Sequence, residues 1–317
     1  MKFIKQTFMQ RTLVVWLGAM LCCALWGSAF PCIKIGYKLF DIALNDVGSQ
    51  ILFAGYRFAL AGILAIAMGS TLSRKILVPK KHSWMKIAKL SMLQTVTQYI
   101  LFYIGLANTT GVKASIIEGA NVFIAILIAS LIFKQEKLTA LKNIGCMLGF
   151  AGVVLVNLTK EGVDMTMKWN GEGFIFLSTI AYAFSSVCIK HYAKDENPIV
   201  LSGYQFTLGG IIMITCGLTM NGHLDNITAS GILMLLYLSV VSAVAYSVWG
   251  ILLKYNPVSK VAVFGFMNPV CGAVLSTCLL SGENEQAFGI KSIIALALVC
   301  IGIYIVNCQK SLEPVDN

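Results

Sequence analysis

Glu118 is the one acidic side chain inside a long apolar run of this sequence, and a carboxyl placed there has two uses. It can hold a positively charged group, or it can take up and release a proton. A charge at the centre of a hydrocarbon layer costs about 2.5–3.5 kcal/mol on insertion scales, so the side chain is expected to face a cavity or a neighbouring helix. Lys113 and Arg57 sit towards the ends of their own runs and are plausible counter-ions, which would make Glu118 a static ion-pair partner instead. Arg57 by itself is expected to snorkel, its stem in the apolar layer and its guanidinium at the interface.

Other polar side chains recur at helical spacing. Ser91, Gln94, Thr95, Gln98, Tyr99, Phe102 and Tyr103 fall three and four apart, which places them on one face of a helix. Ser239, Ser242, Tyr246 and Trp249 repeat that spacing further along. Hydrogen bonds between packed helices would account for the serines and Thr95. They account less well for two glutamines one turn apart, and opposed walls of a shared cavity are the expectation. Trp26 and Ser28 precede Pro31, and Tyr182 precedes Ser185 and Ser186, so aromatic rings are available to flank an organic solute or cradle a cation. Asn121 and Asn268 could bond freed backbone or a solute. The candidate solute-binding set is therefore Trp26, Ser28, Gln94, Gln98, Tyr99, Tyr103, Glu118, Asn121, Tyr182, Ser242, Tyr246, Trp249 and Asn268.

No metal site is expected: His82, His191 and His223 are scattered, and the ten cysteines show no CxxC spacing. The cysteines lie in or beside apolar runs, where a thiol behaves as a small hydrophobe. No phosphate-binding glycine loop is present, so direct ATP hydrolysis is not supported and no cofactor is expected. A catalytic His/Asp/Glu/Ser cluster at one face, which a lipid-modifying enzyme would need, is not evident.

The elements that hold these residues follow from composition. Of 317 residues, 57% are hydrophobic and only 12% charged, too few charges for the surface of a soluble globule. Ten apolar runs of about 20 residues lie near 13–33, 50–70, 86–106, 112–132, 141–158, 172–190, 199–220, 231–251, 260–280 and 289–307, each long enough to cross a bilayer as a helix. Backbone groups cannot go unpaired in lipid, so the runs are helices. The basic stretch MKFIKQTFMQR precedes a run too long for a cleaved signal peptide, and an uncleaved first span is expected.

Alternate loops on one side collect Lys2, Lys5, Arg11, Arg74, Lys75, Lys80, Lys81, Lys134, Lys137, Lys254 and Lys310, while Asp41, Asp46, Glu161, Asp164, Asp225 and Glu283 fall on the other. This bias puts both termini in the cytoplasm. It also accounts for the net charge of +10 without any nucleic-acid partner.

The chain is written twice. KASIIEGANVFIAILIASLIFKQE at 113–136 corresponds without a gap to KVAVFGFMNPVCGAVLSTCLLSGE at 260–283, at an offset of 147. Tyr56, Phe58, Leu60 and Gly62 match Tyr204, Phe206, Leu208 and Gly210 at an offset of 148, and GFAGVVLVN resembles VCIGIYIVN near each half's end. Five runs per half is an odd number, so the halves must be inverted, the usual architecture of a secondary transporter. The expected fold is an all-α integral membrane protein of ten transmembrane helices, with five-helix repeats over 12–158 and 171–308. Glu118 has Gly265 as its repeat mate, so its acid belongs to one half only.

WGSAFPCIKIG, YRFALAG, the segment ending KQEKLT and the duplicated interrupted span followed by Glu136 or Glu283 resemble the EamA family of the drug/metabolite transporter superfamily. The resemblance spans about residues 12–307. It implies a ten-helix inverted-repeat bundle in the inner membrane with alternating access to a central cavity, and export driven by the solute gradient or by protons, but it names no substrate. The expected solute is a small organic metabolite (amino-acid-like, nucleoside-like or drug-like), handled by a monomer or homodimer in the inner or plasma membrane. One departure stands out: Val122 occupies a position where the family pattern often has Pro, whereas Pro269 follows Asn268.

Overall fold

The computed structural model describes residues 7–43, 45–109, 111–157, 168–279 and 290–308, and every regular element among them is helical. Six helices are long and apolar enough to cross a membrane: α1 (Thr12–Leu39), α2 (Val47–Ser73), α3 (Lys81–Ala107), α7 (Trp169–Tyr192), α8 (Pro198–Thr219) and α9 (Ala229–Tyr255). Between and after them lie shorter apolar helices: α4 (Gly111–Gly119), α5 (Asn121–Leu127), α6 (Ala140–Asn157), α10 (Val258–Ala262), α11 (Met267–Leu279) and α12 (Ile290–Cys308).

Their boundaries have local causes. Asp46 starts α2 by accepting the Ser49 N–H at 3.0 Å, and Thr228 starts α9 by accepting that of Gly231 at 3.2 Å. Asn197 accepts from Ile199 ahead of α8, and Pro198 occupies the first helical position, where its missing N–H costs nothing.

Outward faces are apolar: Leu13 is 69% exposed, Leu72 82% and Met147 65%. Such surface would drive aggregation in water and suits a lipid surround. In lipid, apolar side chains gain little by leaving one another's company, so helices associate where small residues let backbones meet. Two seams show this. A Cβ on Gly210 of α8 would lie 2.3 Å from the Ala59 nitrogen of α2, and one on Gly302 of α12 would lie 2.4 Å from the Gly145 carbonyl oxygen of α6. Gly145 and Gly152 of α6 pack closely against α12, and Gly149 against the Phe266 ring.

Both segments of the match at an offset of 147 are interrupted, at neighbouring positions. The first breaks at Ala120, between α4 and α5. The second tightens into a 3-10 turn at Val263–Phe266 before α11. Val122 in place of proline therefore does not abolish the first break. Gly119 and a short-range Ala120 N–H to Ile117 bond accomplish it instead, since a tight turn needs no missing donor.

Candidate functional site

The break at Ala120 puts Glu118 and Asn121 on the wall of a small, partly open polar cavity. Gln98 of α3 and Ser178, Thr179 and Tyr182 of α7 complete the lining. Four of the thirteen residues proposed from sequence therefore meet in one place: Gln98, Glu118, Asn121 and Tyr182. Ser178 and Thr179 were missed. They precede Tyr182 at the same three-and-four spacing that marked α3, so the same periodicity applied to the sixth run would have found them.

Glu118 has no hydrogen bond and no ion pair among the described residues. The counter-ion role considered for Lys113 concerns a side chain outside the described ones. The role considered for Arg57 is corrected by geometry: Arg57 donates from Nε and Nη2 to Ser242 Oγ at 3.1 and 2.9 Å. Nor does it snorkel. Arg57 is 3% exposed, its guanidinium lying 5.1 Å from the centroid of the Phe58 ring, within electrostatic reach of Tyr37, Tyr99, Tyr103 and Tyr246. The face of α2 on which Arg57 stands points into the bundle, so the interface is out of its direction.

An aromatic cluster adjoins the cavity. Trp26 meets Tyr246 and Trp249 edge-on at 5.1 and 5.0 Å, and the Tyr99 and Tyr246 hydroxyls bond at 2.9 Å. Tyr99 and Tyr246 are themselves 147 positions apart, so the polar faces of α3 and α9 touch through residues equivalent in the sequence match. Phe58 and Phe206, 148 apart, stack at 5.2 Å. Tyr103 lies 6.2 Å, ring to ring, from Tyr99.

The remaining candidates are held elsewhere. Gln94 accepts from Gln205 Nε2 at 2.9 Å while Gln205 accepts from Thr95, a hydrogen-bonded knot between α3 and α8 rather than part of the cavity lining. Ser28 bonds the Leu25 carbonyl and the Tyr237 hydroxyl, and Ser242 serves Arg57. Asn268 Oδ1 and Trp26 Nε1 are buried without a hydrogen-bond partner.

Glu136, notable in the sequence only as a repeat marker, has a defined task. It accepts the Ser259 N–H at 2.9 Å and the Ser259 hydroxyl, closing the start of α10, and it holds Lys142 Nζ at 2.8 Å. On the loop before α8, Glu196 accepts the Lys80 and Asn197 N–H groups at 3.0 and 2.9 Å. Burial pushes its carboxyl up, but these bonds and the Lys80 charge outweigh it and leave it below its ordinary value. Among the described residues no group of His, Cys, Asp and Glu could hold a metal ion.

Apolar helices interrupted around a small polar cavity define a class, the multi-pass membrane proteins that handle small molecules within a bilayer. Residues 13–158 and 169–308 each match the EamA-like transporter family, and the chain belongs to that family. It is similar to an uncharacterized transporter of Archaeoglobus fulgidus, 26% identical over 291 residues, covering 90% of this chain and 94% of that one. The uncharacterized transporter YvbV of Bacillus subtilis is 25% identical over 292 residues, covering 91% and 90%. A WAT1-related chloroplastic protein of Arabidopsis thaliana is 22% identical over 292 residues, 89% of this chain but 66% of that protein. A solved crystal structure shares the fold at a TM-score of 0.77 and 16% identity, covering 94% of this chain and 99% of the other. The protein is a membrane transporter and not an enzyme.

Proposed function

We propose that the chain is a secondary transporter that exports a small organic metabolite (amino-acid-like, nucleoside-like or drug-like) across the cell membrane by alternating access. The observation that carries this reading is the polar cavity at the break between α4 and α5, walled by side chains from α3 and α7 and holding the unpaired carboxyl of Glu118. A polar cavity among apolar helices is of no use to a static bundle, because each polar group there would be better paired or absent. As a solute site that opens to one side and then the other, it has a purpose.

The two halves, 12–158 and 171–308, act as inverted five-helix repeats of a ten-helix carrier, with both termini cytoplasmic. The matched residues that meet across the bundle, Tyr99 with Tyr246 and Phe58 with Phe206, support that symmetry. The seams of α2 with α8 and α6 with α12 join equivalent helices. Glu118, Gln98, Asn121 and Tyr182 bind the solute directly, and Trp26, Tyr99, Tyr246 and Trp249 form the wall it leaves along. Glu118 is also the group on which proton coupling would act, in a carrier working as a monomer or homodimer.

The test is counterflow in proteoliposomes of purified protein. Radiolabelled solutes drawn from the three classes should include one that accumulates against an unlabelled internal pool, with Glu118→Gln reducing its uptake at least about tenfold. Absence of counterflow for every class, or equal uptake by Glu118→Gln, refutes the reading. Thiol accessibility of Phe8→Cys and of the native Cys308, each in a background freed of the other cysteines, checks the termini; labelling of the two from opposite sides would rule out the paired cytoplasmic arrangement.

A further inference from the structure

From the lining of the cavity we infer that the transported solute carries a compact protonated nitrogen, and that this ammonium group seats between Glu118, Ser178, Thr179 and Gln98. The inference rests on the transporter reading and narrows it to a class of solute.

The hydrogen-bond inventory decides the sign. The Ser178 and Thr179 hydroxyls both donate to the Ile175 carbonyl, at 2.9 and 2.8 Å, so each enters the cavity with its oxygen as an acceptor only. Glu118, when ionised, offers two further acceptor oxygens and a negative charge. Gln98 is 9% exposed, and its Oε1 is buried with no partner. A buried acceptor left unpaired costs about 1–3 kcal/mol, which a donor-rich guest offsets. An ammonium group has three N–H donors and no acceptor, the complement of the oxygens of Glu118, Ser178, Thr179 and Gln98. The amides of Gln98 and Asn121 and the Tyr182 hydroxyl are the donors of the lining and serve the rest of the solute.

Charge points the same way. Among the described residues no Lys, Arg or His forms an ion pair with Glu118. Arg57, a buried cation on α2, is bonded to Ser242 instead. A carboxylate guest would meet Glu118 as a like charge in a site of low dielectric, and an alcohol would leave the charge unbalanced. Size sets the limit: the space between these side chains is little more than water-sized, enough for an ammonium head, so the organic remainder lies along Tyr182 and the rings beyond it. Those rings present the electron-rich faces that a neighbouring cation prefers.

An alkali ion shares the positive charge and the liking for oxygen, so the experiment separates the two sources. Purified protein at pH 7 and fixed ionic strength is melted with propylammonium, sodium, potassium, propionate or 1-propanol, and binding is confirmed by calorimetry. Propylammonium should raise the melting temperature in a saturable way, while the other four probes leave it unchanged. Glu118→Gln should abolish the shift, and the Ser178→Ala, Thr179→Val pair should weaken propylammonium binding by about tenfold or more. Melting of the unliganded variants at the wild-type temperature shows that they are folded. If a variant fails to fold, competition by propylammonium with a longer fluorescent alkylamine on the wild-type protein decides the matter.

A shift given by sodium or potassium and not by propylammonium overturns the inference in favour of an alkali-ion site. An equal propylammonium shift in wild type and Glu118→Gln, or a shift given by propionate, overturns it outright. Counterflow of a non-amine solute, unaffected by propylammonium, would sink the inference while leaving the transporter reading intact. Propylammonium binding without counterflow of any solute would do the reverse.

Discussion

The pair Arg57–Ser242 offers a measurement of how much of a buried charge is held by one hydroxyl. Ser242 Oγ is the hydrogen-bond acceptor for two guanidinium nitrogens, at 2.9 and 3.1 Å, with Ser242 0% and Arg57 3% exposed. Hydrogen bonds to charged groups are worth about 1.5–3 kcal/mol, and the two here share one oxygen, so Ser242→Ala should cost about 2–3 kcal/mol. The Phe58 ring remains in place in both proteins and cancels from the difference. Arg57→Met removes the charge together with the same bonds and leaves the Ser242 hydroxyl without them. The double variant should then be more stable than the sum of the single losses predicts, with a coupling of about 2 kcal/mol. Equilibrium unfolding in mixed micelles, monitored by tryptophan fluorescence, supplies the four stabilities of the cycle. A coupling below about 0.5 kcal/mol would mean that Arg57 escapes to the interface in solution and that the buried geometry is not what stabilises it.

Four further outcomes follow from the packing and the loops. Gly210→Ala should destabilise the protein by several kcal/mol, because the added Cβ meets the α2 backbone at 2.3 Å, and backbone cannot rotate away. Gly265→Ala should be within about 0.5 kcal/mol of wild type, its Cβ finding Val122 at 3.4 Å and Asn121 Oδ1 at 3.7 Å, and thermal melts of the two variants compare them directly. Glu136→Gln should cost about 3–5 kcal/mol, since Lys142 loses its partner where the two side chains are only 7% and 11% exposed; adding Lys142→Met should recover part of the loss in the same unfolding assay. Glu196 is held below its ordinary value of 4.5, so its contribution is complete above that pH and lost as the pH falls through the lower folded value. Melting temperatures from pH 7 to 3 should therefore fall less steeply for Glu196→Gln than for wild type.

The apolar runs were legible because lipid leaves a chain so little choice: a stretch without charges, about 20 residues long, can only be a helix. Depth along a span was legible too, and it brought Gln98, Glu118, Asn121 and Tyr182 to a common cavity. Azimuth was harder to read. Arg57 stands at a depth from which a side chain can snorkel, yet the same helix face carries the buried Phe53, Ala54 and Ala61, and packing, not depth, sets its direction. Gln94 was read as wall because its spacing is right, but its partner, Gln205, is 111 residues away, and no local pattern shows such a pairing. Glu136 closing α10 across 123 residues is invisible for the same reason. Local periodicity specifies a face; what that face meets is decided by the whole bundle.

The two glycine seams also limit how the molecule can move. Where a Cβ would already strike a neighbouring backbone at 2.3–2.4 Å, a slip of one residue along either seam would drive real side chains into that space. In the carrier proposed above, turning about these lines of contact would disturb fewer atoms than sliding along them, and would swing the interrupted helices on either side of Ala120 and Phe266.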